Sequence, residues 1–220
     1  MKKILFFAVA VSSLLFCFPI YAQESTSPLS PTEDLMREHG LLERILLIYS
    51  HALNEDRLNR PMPFAELNES AGVIKSFVED YHEKLEEEYV FPELTSKSIH
   101  VHEINILKLQ HDRGRSITAE ILKLTSSPAA DPNKINMLRS DLRDFITMYR
   151  PHYAREDTAI FPAFRQTLSK SQIEKFADVF EKRETTLFGE EGFEKILDRV
   201  NQIEKRLAIN DLAQFTPQKR

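Results

Sequence analysis

Arg150-Pro151-His152-Tyr153-Ala154-Arg155-Glu156-Asp157-Thr158-Ala159-Ile160-Phe161-Pro162 is the stretch on which the fold turns, because its skeleton occurs twice. His152 is followed by Glu156, Phe161 and Pro162, and His82 is followed at the same offsets by Glu86, Phe91 and Pro92. On a helix a spacing of four puts His and Glu one turn apart on one face, aimed at the same point. From average composition a given His meets Glu, Phe and Pro at those offsets on the order of once in several thousand trials. Meeting them at two of seven histidines marks a repeated metal-ligand half-site.

Working outward, each half-site continues an apolar helical stripe. Ahead of His152 run Ile135, Leu138, Leu142, Phe145 and Tyr149, on a helix expected from about Pro132 to Leu168. Ahead of His82 run Ile74, Phe77 and Val78, on a helix that follows a loop expected over Asn59 to Asn68. Two more amphipathic segments carry one histidine each within their stripes. A first helix, with Thr32 as its expected cap, has Leu35, Leu42, Leu46, Tyr49 and Leu53, with His39 where another core residue belongs. A third, with Ser98 as its expected cap, runs to about Leu124 and places His111 four residues after Leu107.

Four such helices joined by short breaks predict an all-α, up-down-up-down four-helix bundle over residues 32–168. Segments from Ser171 to about Arg183 and from Glu191 to about Ile209 predict a C-terminal helical extension, with its tail, over residues 169–220. Five glycines, no tryptophan and few turn clusters argue against a β-rich fold. A net charge of -5 with both signs interspersed leaves no polybasic footprint for nucleic acid.

At the N-terminus, Met1-Lys2-Lys3, an apolar run from Ile4 to Ile20 and Tyr21-Ala22-Gln23 compose a secretory signal peptide, residues 1–22, with cleavage expected after Ala22. Residues 23–31, rich in Ser, Thr and Pro, read as a flexible leader. The expected product is exported to the periplasm and is not inserted in the membrane after cleavage. Cys17, the single cysteine, lies within the signal, so the mature protein has no thiol and any metal must be held by His and carboxylate.

Six groups are expected to converge as metal ligands: His39, His82, Glu86, His111, His152 and Glu156. Burying four imidazoles and two carboxylates uncompensated costs several kcal/mol per unpaired charge, which a pair of cations relieves. Two ions, each with two His and sharing two bridging Glu, leave vacant positions if the metal is iron. His51, His100 and His102 point elsewhere and are read as structural or solvent-facing. Glu87 and Glu88 are expected to be solvated, with a bond to a ligand imidazole as the lesser reading for them. Tyr81, Tyr149 and Tyr153 are read as core, with a hydrogen bond toward a bound gas as the minority reading. The Phe-Pro pairs are expected to shape helix ends or kinks.

These residues resemble the hemerythrin-like, or HHE cation-binding, domain. The resemblance rests on Leu35-Met36-Arg37-Glu38-His39, Tyr81-His82 with Glu86 and Phe91-Pro92, His111-Asp112-Arg113-Gly114-Arg115, and His152 with Glu156 and Phe161-Pro162. It implies a non-haem di-iron centre, two iron ions in a four-helix bundle, with the six residues as ligands. The chain is closer to the four-His, two-Glu members, which include proteins of nitric oxide response and iron-sulfur repair, than to five-His oxygen carriers. Those have an extra His one turn along the third helix, where this chain has Arg115, which cannot be a ligand.

The expected function is binding of a small diatomic ligand, oxygen or nitric oxide, for sensing, scavenging or stress protection. That makes the chain more a metal- and ligand-binding protein than an enzyme. The alternatives are a di-iron redox enzyme reducing nitric oxide or peroxide, which needs an external electron donor, and an iron-handling or iron-centre repair protein.

Overall fold

The computed structural model describes residues 29–127 and 131–217, and the expected signal peptide and most of the expected leader lie outside them. Six helices make up the described chain. They are α1 (Pro31–Arg57), α2 (residues 64–96), α3 (Val101–Thr125), α4 (residues 132–167), α5 (Lys170–Phe188) and α6 (Gly192–Arg206), followed by a short 3-10 turn, Leu212–Phe215. Among the described residues no helix is long and apolar enough to cross a membrane.

The first helix is capped two residues earlier than expected. Ser30, not Thr32, is the N-cap, and Glu33 returns its bond to the Ser30 backbone in a reciprocal capping box, with Pro31 preset for the first turn. The expected loop of Asn59 to Asn68 is shorter, since α2 begins at Phe64. Ser98 does not cap α3. It lies in the left-handed region with His100, φ 59° and 50°, and the chain turns between α2 and α3 on this pair before α3 begins at Val101. Asp131 caps α4 through the Asn133 N–H, and Ser169 with Gln172 forms a second capping box at α5, directly after α4 ends.

Helices α1 to α4 pack as a ring of neighbours, α1 on α2, α2 on α3, α3 on α4 and α4 on α1. Their inner stripes bury Leu35, Ile45, Tyr49, Phe77, Leu107, Leu142 and Phe145. Each such side chain contributes on the order of 1.5–3 kcal/mol by leaving water. The extension lies on the outside of α1 and α2. Helix α6 repeats apolar residues at steps of three and four, Phe193, Ile196, Val200 and Ile203, all buried. Phe188 of α5 meets Phe77 and Tyr81 of α2 at centroid distances of 5.5 and 5.6 Å. Arg44 of α1 fixes the register, donating to Asn201 Oδ1 at 2.6 Å and to Glu204 Oε1 at 2.9 Å.

Helices α2 and α4 are not regular. Three stretches, Ile74–His82, Glu86–Val90 and Glu156–Ile160, widen to π-helical turns with hydrogen bonds five residues back. A proline ring in a helix clashes with the carbonyl four residues earlier. For Pro92 and Pro162 those are the carbonyls of Glu88 and Thr158, and both fall inside a widened turn. The Phe-Pro pairs therefore set a local over-wide turn that starts at Glu86 in one helix and at Glu156 in the other.

Candidate metal centre

The structure brings the six sequence-selected side chains together inside the bundle. His39 comes from α1, His82 and Glu86 from α2, His111 from α3, and His152 and Glu156 from α4, all buried. The imidazoles form two pairs, His39 with His82 at 4.7 Å and His111 with His152 at 4.9 Å between ring centroids. Each carboxylate reaches both pairs. Glu86 Oε1 is 3.6 Å from His82 Nε2, and its Oε2 is 3.4 Å from His111 Nε2. Glu156 Oε2 lies 3.5 Å from His39 Nε2 and 3.2 Å from His152 Nε2.

The donor set fits metal. All four oxygens of Glu86 and Glu156 are buried without a hydrogen-bond partner among the described residues, an arrangement that costs several kcal/mol unless a cation faces them. His111 Nε2 and His152 Nε2 are 3.2 Å apart. Two imidazole nitrogens on one ion at roughly 2.1 Å are spaced by about 3.0–3.4 Å. Two groups have the compactness for an ion, His39, His82 and Glu86 on one side and Glu86, His111, His152 and Glu156 on the other, with Glu86 common to both.

Electrostatics agree with a cluster short of positive charge. Burial alone would raise the Glu86 carboxyl, yet the His82 and His111 imidazoles overcome it and hold it well below the usual carboxylate range. Burial would depress both imidazoles, but Glu86 and Glu38 hold His82 well above its ordinary value. Glu83, Glu86 and Glu87 push His111 up to about 10.

A second layer fixes which nitrogen faces inward. His39 Nδ1 donates to Asp157 at 2.7 Å, His82 Nδ1 to Glu38 at 2.6 Å, His111 Nδ1 to Glu87 at 3.1 Å and His152 Nδ1 to Gln110 at 2.9 Å. Each outer bond holds the ring and leaves Nε2 with its lone pair toward the centre. The pattern is cyclic: α1 serves α2, α2 serves α3, α3 serves α4 and α4 serves α1. Every outer acceptor is the chain neighbour of one of the six inner residues but binds a histidine on the next helix. Phe161 and Phe91 follow the same direction, stacking on His39 and His111 at 5.4 and 5.7 Å.

Glu38, Gln110 and Asp157 were not foreseen, and Glu87 takes the lesser of its two expected roles. Glu88 instead pairs with Arg183 of α5. Two of the three tyrosine hydroxyls are engaged elsewhere, Tyr149 donating to Glu83 at 2.7 Å and Tyr153 to Glu43 at 2.7 Å, while the Tyr81 hydroxyl is buried without a hydrogen-bond partner among the described residues. Arg115 bonds Glu83 and Glu87 on the outer side of His111. His51, His100 and His102 lie outside the cluster.

A family model described as the hemerythrin HHE cation binding domain matches residues 30–164. Uncharacterised proteins from Mycobacterium bovis and from two strains of Mycobacterium tuberculosis are each 44% identical over 200 residues, covering 90% of this chain and 78% of each relative. No solved structure matches the chain.

Proposed function

The chain belongs to the hemerythrin HHE cation binding domain family, and from that premise we propose that it is an exported non-haem di-iron protein that binds oxygen or nitric oxide in a sensing, scavenging or protective role. The four inward Nε2 atoms and the two unpartnered carboxylates that span both imidazole pairs carry this reading. His39, His82, Glu86, His111, His152 and Glu156 would hold two iron ions, which supply a redox couple and open coordination positions for a small ligand.

The chain's own residues would do the rest. Glu86 and Glu156 balance the charge, and the outer acceptors keep each imidazole in its binding tautomer. Phe91 and Phe161 shield His111 and His39 from water. A cavity of about 310 Å³ between α3 and α4, lined by Ile106, Leu107, Gln110, Pro151, His152 and Arg155, gives an approach from solvent beside His152.

The test is metal analysis of protein purified from its exported location, then optical spectra of the reduced form before and after oxygen and nitric oxide. The expected result is about two irons per chain and a spectrum that responds to one gas. Zinc, or no metal, with no response to either gas overturns the small-ligand function.

A further inference from the structure

A second acidic cluster lies outside the histidine centre, where the extension meets the bundle. Asp34 and Glu38 of α1 and Glu184 of α5 each offer a carboxylate oxygen, and these oxygens lie within 4.8 Å of one another. Each carboxylate has one oxygen engaged by another group. Arg37 pairs with Asp34 Oδ1 at 3.2 Å, His82 Nδ1 donates to Glu38 Oε2 at 2.6 Å, and the Phe193 N–H donates to Glu184 Oε1 at 2.8 Å. Glu38, only 2% exposed, keeps its Oε1 buried and unpartnered among the described residues.

Asp34 and Glu184 are reachable from solvent, with Glu38 buried behind them. A cavity of about 300 Å³ is lined by Asp34, Glu184, Arg37, Phe180, Glu181 and Leu29. Arg37 is the one cation on its wall among the described residues, and it is shared with Phe193, whose ring it covers at 3.8 Å. Burial raises the carboxyls of Asp34 and Glu184, and Asp34 raises Glu184 further, so the pair is held in want of positive charge.

We propose that Asp34, Glu38 and Glu184 form an all-oxygen site for a hard divalent cation, separate from the histidine centre, that clasps the C-terminal extension to the bundle. Carboxylate oxygens without nitrogen suit manganous or calcium ion. Three oxygens spread evenly around such an ion at roughly 2.3–2.6 Å are ~4.0–4.5 Å apart, so oxygens that already lie within 4.8 Å of one another need little closure. Glu38 joins the sites, because its other oxygen orients His82. The extension would then report on cation supply, with α5 held to α1 when the site is filled.

Manganous ion is titrated into the full chain as purified, with the free-ion resonance signal followed and the metal already present counted. One additional ion is expected to bind, calcium to compete with it, and melting temperature to rise with ion concentration. Glu184→Gln, whose amide oxygen can still accept from the Phe193 N–H, and Asp34→Asn are each expected to weaken uptake at least ~10-fold, as removal of an anionic ligand does. Both should leave the metal content of the histidine centre unchanged. Glu181→Gln is the control for a diffuse negative field and is expected to change uptake less than ~2-fold. Equal uptake by the wild type and Glu184→Gln, or an equal loss in Glu181→Gln, overturns the site. Manganese uptake that depends on Glu184 in a chain whose histidine centre takes no iron sustains this inference while the di-iron reading fails.

Discussion

The two halves of the histidine centre share one skeleton and differ in what stands behind it. On the α1/α2 side, His39 and His82 lean on two carboxylates, Asp157 and Glu38, neither of which is paired with Lys or Arg among the described residues. On the α3/α4 side, His111 leans on Glu87, whose charge is shared with Lys84 and Arg115, and His152 leans on the neutral amide of Gln110. A carboxylate behind an imidazole makes it a better donor to metal, and an amide does so less. If each half takes an ion, the α1/α2 half is the better built to hold it firmly and the α3/α4 half, beside the cavity at His152, to exchange ligands.

Removing the group common to both halves has the largest expected effect. Glu86→Ala should lower bound metal from about two equivalents to well under one, because Glu86 belongs to both candidate ligand groups. His152→Ala should remove about one equivalent and leave the α1/α2 ion in place. Chelator treatment of the wild type should lower stability by several kcal/mol, since binding energy is folding energy. For a chain of this size that is on the order of 10 °C in melting temperature. Elemental analysis with thermal melts would check all three, and loss of both ions from His152→Ala would break the division into halves.

Next in size is a strut that supports only the α3/α4 side. A Cβ on Gly114 would lie 2.0 Å from Tyr149 Oη, and that hydroxyl donates to Glu83, which with Glu87 is held by Arg115 behind His111. Gly114→Ala is expected to cost about 1–3 kcal/mol by overpacking, although alanine is the better helix former. Tyr149→Phe should cost about 1–3 kcal/mol by leaving a buried Glu83 oxygen without its donor. Because the Gly114 clash is first with the hydroxyl, the double variant should cost less than the sum of the two, as measured by denaturant unfolding. Additive losses would mean that the strut does not act as a unit.

How far this centre could be read in advance follows from which contacts have a sequence period. The inner six did, because steps of four within apolar stripes are set by helix geometry alone. The ligand set suggested a pair of cations with iron as the metal, and the resemblance to the family added the expectation of a non-haem di-iron centre. Ser30-Pro31-Thr32-Glu33 carried a capping signal that Thr32 obscured, since Glu33 is three residues after Ser30 and only one after Thr32. Ser98 looked like a cap but was claimed by a turn in which both it and His100 have positive φ, a demand that arises only once α2 and α3 must pack antiparallel. The outer acceptors had no periodic signal, because each bonds across to another helix. Adjacency to one of the inner six was the clue available for Glu38, Glu87, Gln110 and Asp157.

The smallest expected effect would sharpen the contrast between halves most, because it alters one atom type at one outer position. Gln110→Glu places a carboxylate behind His152, where the amide now accepts from Nδ1 at 2.9 Å. It should tighten the α3/α4 ion by up to ~10-fold, about 1.4 kcal/mol, while Asp157→Asn should loosen the ion near His39 by ~10-fold or somewhat more. Gln110 lines the cavity with Arg155 and Glu103, one charge of each sign, so the new carboxylate has a countercharge in the same cavity and a gross loss of fold is not expected. Competition with a chelator of known affinity, resolved into two binding steps, distinguishes the variants: the weaker step should move toward the stronger in Gln110→Glu, and the stronger toward the weaker in Asp157→Asn. If both variants shift both steps equally, the outer acceptors tune the cluster as a single electrostatic body, and the cavity beside His152 alone would decide where a small ligand enters.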